Sequence, residues 1–105
     1  MTRSSEGVVD LVEAELSRRF LPSLTGERTS WLDLVETIAR EEGVDRRAVN
    51  SMSSRASVSR ARHRVWLALR DARYSYPEIA MPWGANHTSV RAAVVKLRDA
   101  RPEAA

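Results

Sequence analysis

A chain of 105 residues has room for one modest core. Without cysteine it has no disulfide, no thiolate chemistry and no cysteine-based zinc site, which fits a reducing, cytoplasmic setting. The net charge of +3 is unevenly placed: residues 1–45 carry five arginines against ten acids, net −5, and residues 46–105 carry twelve basic residues against four acids, net +8.

The predicted elements are all helical, because glycine is sparse and no stretch alternates with period two. Residues 8–20 form a first amphipathic helix with the stripe Val8, Leu11, Val12 and Leu16. Asp10, Glu13 and Glu15 interrupt its apolar run, so it reads neither as a signal peptide nor as a membrane span. The linker LPSLTGERTS follows, punctuated by Pro22 and Gly26. Ser30 caps a second helix, whose apolar residues Trp31, Leu34, Val35 and Ile38 fall at i, i+3, i+4 and i+7. Gly43 supplies the left-handed residue that ends it. Asp45 caps a short helix over 46–51, with Val44 and Val49 at the spacing of a hydrophobic staple.

The polar loop SMSSRAS leads into the longest helix, 58–73, started by Ser57 or Ser59. Its apolar stripe is Val58, Ala61, Val65, Leu69 and Ala72, with Arg60, Arg64 and Arg70 off it. SYPE, residues 75–78, is a capping box that opens a helix of two turns, closed by Pro82 and Gly84. The last helix starts near Asn86. Val90, Ala93, Val94 and Leu97 lie on its inner side, and Thr88, Arg91, Ala92 and Val95 on its outer side. Trp31, Trp66 and Trp83 fall on or beside apolar stripes and read as core. The expected organisation is an N-terminal helix and linker over 1–28, a helix-turn-helix domain of about five helices over 29–100, and a tail over 101–105.

Residues 46–70 hold seven arginines and no acid. That density suits a polyanion, since each neutralised phosphate releases counterions, and it also fits a solvated face of an arginine-rich protein. A short capped helix, a glycine and a helix with a polar first turn is the pattern of a helix-turn-helix. Such a turn carries unpaired backbone N–H groups and the positive end of the helix dipole, both suited to phosphate or base acceptors. Asn86 can pair adenine at two points, Thr88 can meet a base or a thymine methyl, and Arg91 suits guanine or phosphate. Asn86 also reads as a plain N-cap, with Thr88 and Ser89 merely exposed. His87 and His63 are the only histidines. Neither has a second ligand at metal spacing, and no nucleophile elbow, oxyanion turn or phosphate loop is present. No enzyme activity, metal, cofactor, small-molecule substrate or membrane is therefore expected.

Residues 59–97, SRARHRVWLALRDARYSYPEIAMPWGANHTSVRAAVVKL, and the upstream IAREEGVDRRAVNS carry a resemblance. The Ser-x-Pro-Glu-Ile helix, the glycine, the His-Thr-Ser-Val core, Ala93 and Lys96-Leu97 are similar to the C-terminal DNA-binding domain of the bacterial replication initiator DnaA. The match spans about two thirds of the chain. The resemblance implies a helical fold related to the Trp repressor and double-stranded DNA as partner. It implies base readout at Asn86, His87, Thr88 and Ser89, with Tyr76 and Pro77 contributing from the preceding helix. It places backbone contacts at Arg62, His63 and Arg70 and a minor-groove arginine near Arg55; Arg60 and Arg64 join them as basic neighbours in the same segment. Ala85-Asn86 stands where the family has Arg-Asp, and one residue is missing from the turn. The expected function is a nucleoid-associated DNA-binding protein that regulates transcription or replication without an ATPase module; the alternative is a protein-interaction module that keeps the fold alone. The stripe of the first helix needs cover, either from the domain's own core near Trp31 and Ile38 or from the same helix of a second chain. A small core gains from an added helix, which favours fold-back.

Overall fold

The computed structural model describes residues 5–23 and 25–100; the expected tail over 101–105 lies outside them. Among the described residues there are six α-helices and one 3-10 turn, and no strand. The helices are α1 (Ser5–Ser17), α2 (Trp31–Glu42), α3 (Arg46–Asn50), α4 (Ala56–Asp71), α5 (Tyr76–Ala80) and α6 (His87–Ala100). The 3-10 turn, Met81–Trp83, continues α5.

Helix α1 folds back onto the rest of the chain and packs against α2, α3 and the 3-10 turn. It ends earlier than the expected 8–20 and shows a different face. Val9, Val12 and Leu16 are buried, with Leu16 at 0% exposure, whereas Val8 is exposed and Leu11 is 64% exposed. The reason is Glu13, which periodicity assigns to solvent. It is 9% exposed and faces inward, where it accepts from Arg46 Nε at 2.9 Å, Arg47 Nη1 at 3.1 Å and Asn50 Nδ2 at 2.9 Å. Bringing that carboxylate to its donors turns the helix away from the Val8–Leu11 register.

The linker returns on itself through an isolated bridge between Phe20 and Ser30. Leu21 N donates to Thr29 O at 2.9 Å and Trp31 N to Arg19 O at 2.8 Å. Ser30 caps α2 as expected, and Asp33 completes a capping box with it. Gly43, at φ 69°, ends α2 and donates to Ala39 O and Arg40 O. Asp45 caps α3 by accepting from Arg47 N. Helix α4 starts at Ala56 rather than at the expected 58. Its N-cap is Arg55, which makes no side-chain capping bond, and Ser57 and Ser59 lie inside the helix.

The core joins Leu16 of α1, Trp31, Val35 and Ile38 of α2, Val49 of α3, Val58, Val65 and Leu69 of α4, Ile79 of α5, and Val90 and Val94 of α6. All three tryptophans are buried in it. Trp31 meets the Tyr74 ring edge-on at 4.8 Å, and Trp66 meets Trp83 in the same way at 6.1 Å.

Candidate nucleic-acid interface

The sequence signals around residue 75 act as expected. Glu78 N donates to Ser75 Oγ at 3.2 Å and Ser75 N to Glu78 Oε1 at 2.9 Å. These bonds, the backbone one first, hold the Glu78 carboxyl below its ordinary range. Ile79, Ala80, Pro82 and Trp83 are buried, which anchors α5 and the 3-10 turn to the core. Gly84 then takes φ 63°, a left-handed conformation that costs an L side chain about 1 kcal/mol or more, and the chain turns into α6.

Helix α6 buries Val90 and Val94 completely and half-buries Ala93 and Leu97. His87, Thr88, Ser89, Arg91, Ala92, Val95 and Lys96 are exposed. His87 and Ser89 have no side-chain hydrogen bond among the described residues. Asn86 is different. Its Oδ1 accepts from Thr88 N at 2.9 Å and also from the Thr88 hydroxyl, while its carbonyl accepts from Val90 N. Both acceptor positions of the amide are taken by capping. The two-point adenine contact expected of Asn86 needs that oxygen, so the capping role replaces it; the Nδ2 donor remains open.

Of the expected contacts on α5, Pro77 is exposed and Tyr76 is half-buried. The Arg70 guanidinium lies 4.5 Å from the Tyr76 ring centroid, and its Nη1 donates to Tyr74 O at 3.1 Å. Arg70 therefore braces the entry to α5 and stands directly beside the α5–α6 pair.

The other basic residues divide sharply. Arg55 and Arg60 are exposed and have no ion-pair partner among the described residues. Arg62, expected on the DNA backbone, is 5% exposed. Its Nη1 donates to Val49 O at 3.1 Å, and its Nη2 to Ser53 O at 3.0 Å and Ser59 Oγ at 3.3 Å. It ties the α3–α4 loop to α4, burial lowers its pKa, and it has no free face for a phosphate. Arg64 is bound to Glu41 at 2.7 Å and Glu42 at 2.9 Å, and the Glu41 bond is the main cause that raises its pKa. That ties Arg64 to the end of α2 rather than to α6.

His63 is half-buried and stacks on Trp66 at 5.5 Å. Burial, then Arg62 and Lys96, push its pKa down. It shares a groove between α4 and α6 with Arg60, Ser59, Ala93, Lys96 and Leu97. The sequence reading missed Lys96 as a candidate contact. Its signal was periodicity: it stands eight residues after Thr88, on the same outward side as Arg91 and Ala92. Arg73 was missed too. It is exposed, without an ion-pair partner among the described residues, and held at φ 77° where helix ends favour glycine.

Among the described residues, no three His, Cys, Asp or Glu side chains stand together where a metal ion would fit. No described helix is long and apolar enough to cross a membrane. Comparison with protein-family models, curated proteins and solved structures finds no match to this chain.

Proposed function

We propose that the protein binds double-stranded DNA, with α6 entering the major groove by its first turn and α5 lying across the backbone. One observation carries this reading. The exposed polar turn His87–Thr88–Ser89 belongs to the same helical pair, α4 and α6, that bears or borders every described cation lacking a carboxylate, backbone or aromatic partner: Arg55, Arg60, Arg73, Arg91 and Lys96. In this reading the first turn of α6 meets base edges while the free cations of α4 and α6 neutralise phosphates, the division of labour that groove recognition uses. The resemblance to the DnaA C-terminal domain supports the same reading. It points to regulation of replication or transcription through occupancy of specific sites in the nucleoid.

Val8 and Leu11, exposed on α1, favour a second reading, a protein-interaction module. Titration with random-sequence duplex at about 50 mM and 200 mM salt separates the two. DNA binding that weakens steeply with salt supports the first, and no binding at the lower salt supports the second. Selection of bound duplexes from a random library then defines the site.

A further inference from the structure

The acid most deeply buried in the described chain is Glu13, and it lies far in sequence from α6. Its carboxylate receives four N–H donors, from Arg46 Nε and Nη2, Arg47 Nη1 and Asn50 Nδ2. Asn50 is 1% exposed, and its Oδ1 accepts from Trp83 Nε1 at 3.1 Å. The negative charge at Glu13 fixes which way this amide points. A flipped Asn50 would set its oxygen against the carboxylate and its N–H₂ against the indole N–H, losing both bonds. Trp83 is thereby singled out. The indole nitrogens of Trp31 and Trp66 are buried with no hydrogen-bond partner, whereas that of Trp83 has a fixed acceptor. Trp83 directly precedes Gly84, where the chain turns into α6, and His87 follows three residues later.

Glu13 and Asn50 are buried while the side chains of Arg46 and Arg47 are 33% and 38% exposed, and such a partly buried ionic cluster is a weak source of net stability but a source of defined geometry. We propose that Glu13, Asn50 and Trp83 form a relay through which α1 positions the α5–α6 turn. Glu13 and Asn50 are then positioning residues for sequence discrimination that make no contact with DNA. This rests on the DNA-binding reading for its functional half. The structural half stands without it: the charge at Glu13 sets the conformation of residues 84–89.

The test uses the full chain with Glu13→Gln, Trp83→Phe and the double variant. Phenylalanine keeps an aromatic ring at this core position and removes the indole N–H together with part of the ring volume, so the double variant, which cancels what the two changes share, carries the argument. Each variant is first shown to be folded by circular dichroism and thermal melting. In the free protein, amide resonances of Gly84 to Ser89 should shift in both single variants. The double variant should shift little more than either one, because both break the same chain of bonds. With a selected duplex and a random duplex, the preference of the wild type should fall by roughly tenfold in each single variant, while affinity for the random duplex and its salt dependence stay put. Folded variants whose turn amides do not move overturn the relay, whatever the DNA does. So do amides that move with preference retained in a wild type that discriminates. A wild type that shows no preference among duplexes sinks the DNA reading instead, and the amide shifts still decide the relay.

Discussion

The two halves of the molecule handle charge in opposite ways. In α1 to α3 the acids are matched at short range. Glu13 binds Arg46 and Arg47, Asp10 binds Arg47, Glu15 binds Arg18 and Arg19, Glu36 binds Arg40, and Asp33 and Asp45 cap helices. The Asp10 bond is the main cause that raises the Arg47 pKa. Around α4 to α6, by contrast, Arg55, Arg60, Arg73, Arg91 and Lys96 have no such partner among the described residues. Formal charge therefore misleads about available charge: the arginine-dense segment includes Arg46, Arg47, Arg62 and Arg64, all spent inside the fold. What distinguishes the second half is unspent cation on and around α4 and α6, the latter a helix whose first turn is polar and exposed.

The largest effect expected from this contrast concerns α1, which brings the acids to their partners. Leu16 is fully buried at the junction of α1 with the core. Leu16→Ala should cost about 2–5 kcal/mol of stability, read by urea unfolding. Leu11→Ala, on the exposed side, should cost less than about 0.5 kcal/mol. Equal costs at the two positions would mean that α1 does not pack in this register.

Next in size is the first turn of α6, the proposed reading head. His87→Ala or Thr88→Ala should weaken binding to the selected duplex by about 1–3 kcal/mol and change binding to random duplex little. The loss should come without a change in melting temperature for His87→Ala, which is exposed and makes no side-chain hydrogen bond among the described residues, and with only a small one for Thr88→Ala, whose hydroxyl bonds Asn86. Uniform loss on both duplexes would make the turn a backbone contact.

How far these regions were legible depended on whether the signal was local. Caps at Ser30, Asp45 and Ser75, stops at Gly43 and Gly84, and the buried tryptophans followed from nearest neighbours in sequence, and the structure has them all. Failures came where a polar side chain found a distant partner. Glu13 turned α1 because its donors lie more than thirty residues away, at Arg46, Arg47 and Asn50. Arg62 looked like any arginine of a basic helix, yet the carbonyls of Val49 and Ser53 draw it inward. Asn86 had both readings open, and only the geometry of Thr88 decides how its oxygen is used. Periodicity locates a face, but it does not say which charges will be consumed there.

A smaller effect tests spent against unspent charge directly. Arg60→Gln and Lys96→Gln should each lower the salt slope of DNA binding by about one unit for each phosphate contact removed. Arg64→Gln, whose charge is held by Glu41 and Glu42, should leave the slope in place and cost no more than about 1 kcal/mol of stability. Arg55→Gln should lose affinity mainly on A·T-rich flanks if its guanidinium enters a narrow minor groove. Binding isotherms across a salt series check all four variants. Identical slopes for Arg60→Gln and Arg64→Gln would remove the distinction between the halves.

The smallest expected effect lies at His63, where the two kinds of charge meet. Its imidazole stacks on Trp66, Arg62 lies beside it on α4, and Arg60 and Lys96 share its groove. Burial and the neighbouring cations disfavour the imidazolium, so the folded pKa lies below the ordinary value of about 6.5. The unfolded chain then binds more protons between the two values. The stability associated with neutral His63 is complete above about pH 6.5 and is lost as pH falls through the folded pKa, with a slope of at most about 1.4 kcal/mol per pH unit. His63→Gln should flatten that part of the stability profile. A phosphate seated against Arg60 and Lys96 adds negative charge to the same groove and reverses the sign for binding. Duplex should raise the His63 pKa, and complex formation near pH 6 should take up a fraction of a proton. Titration of the imidazole resonance with and without duplex measures both values. A His63 pKa that does not rise on binding would place the DNA backbone away from the α4–α6 groove, and confine contact to the first turn of α6.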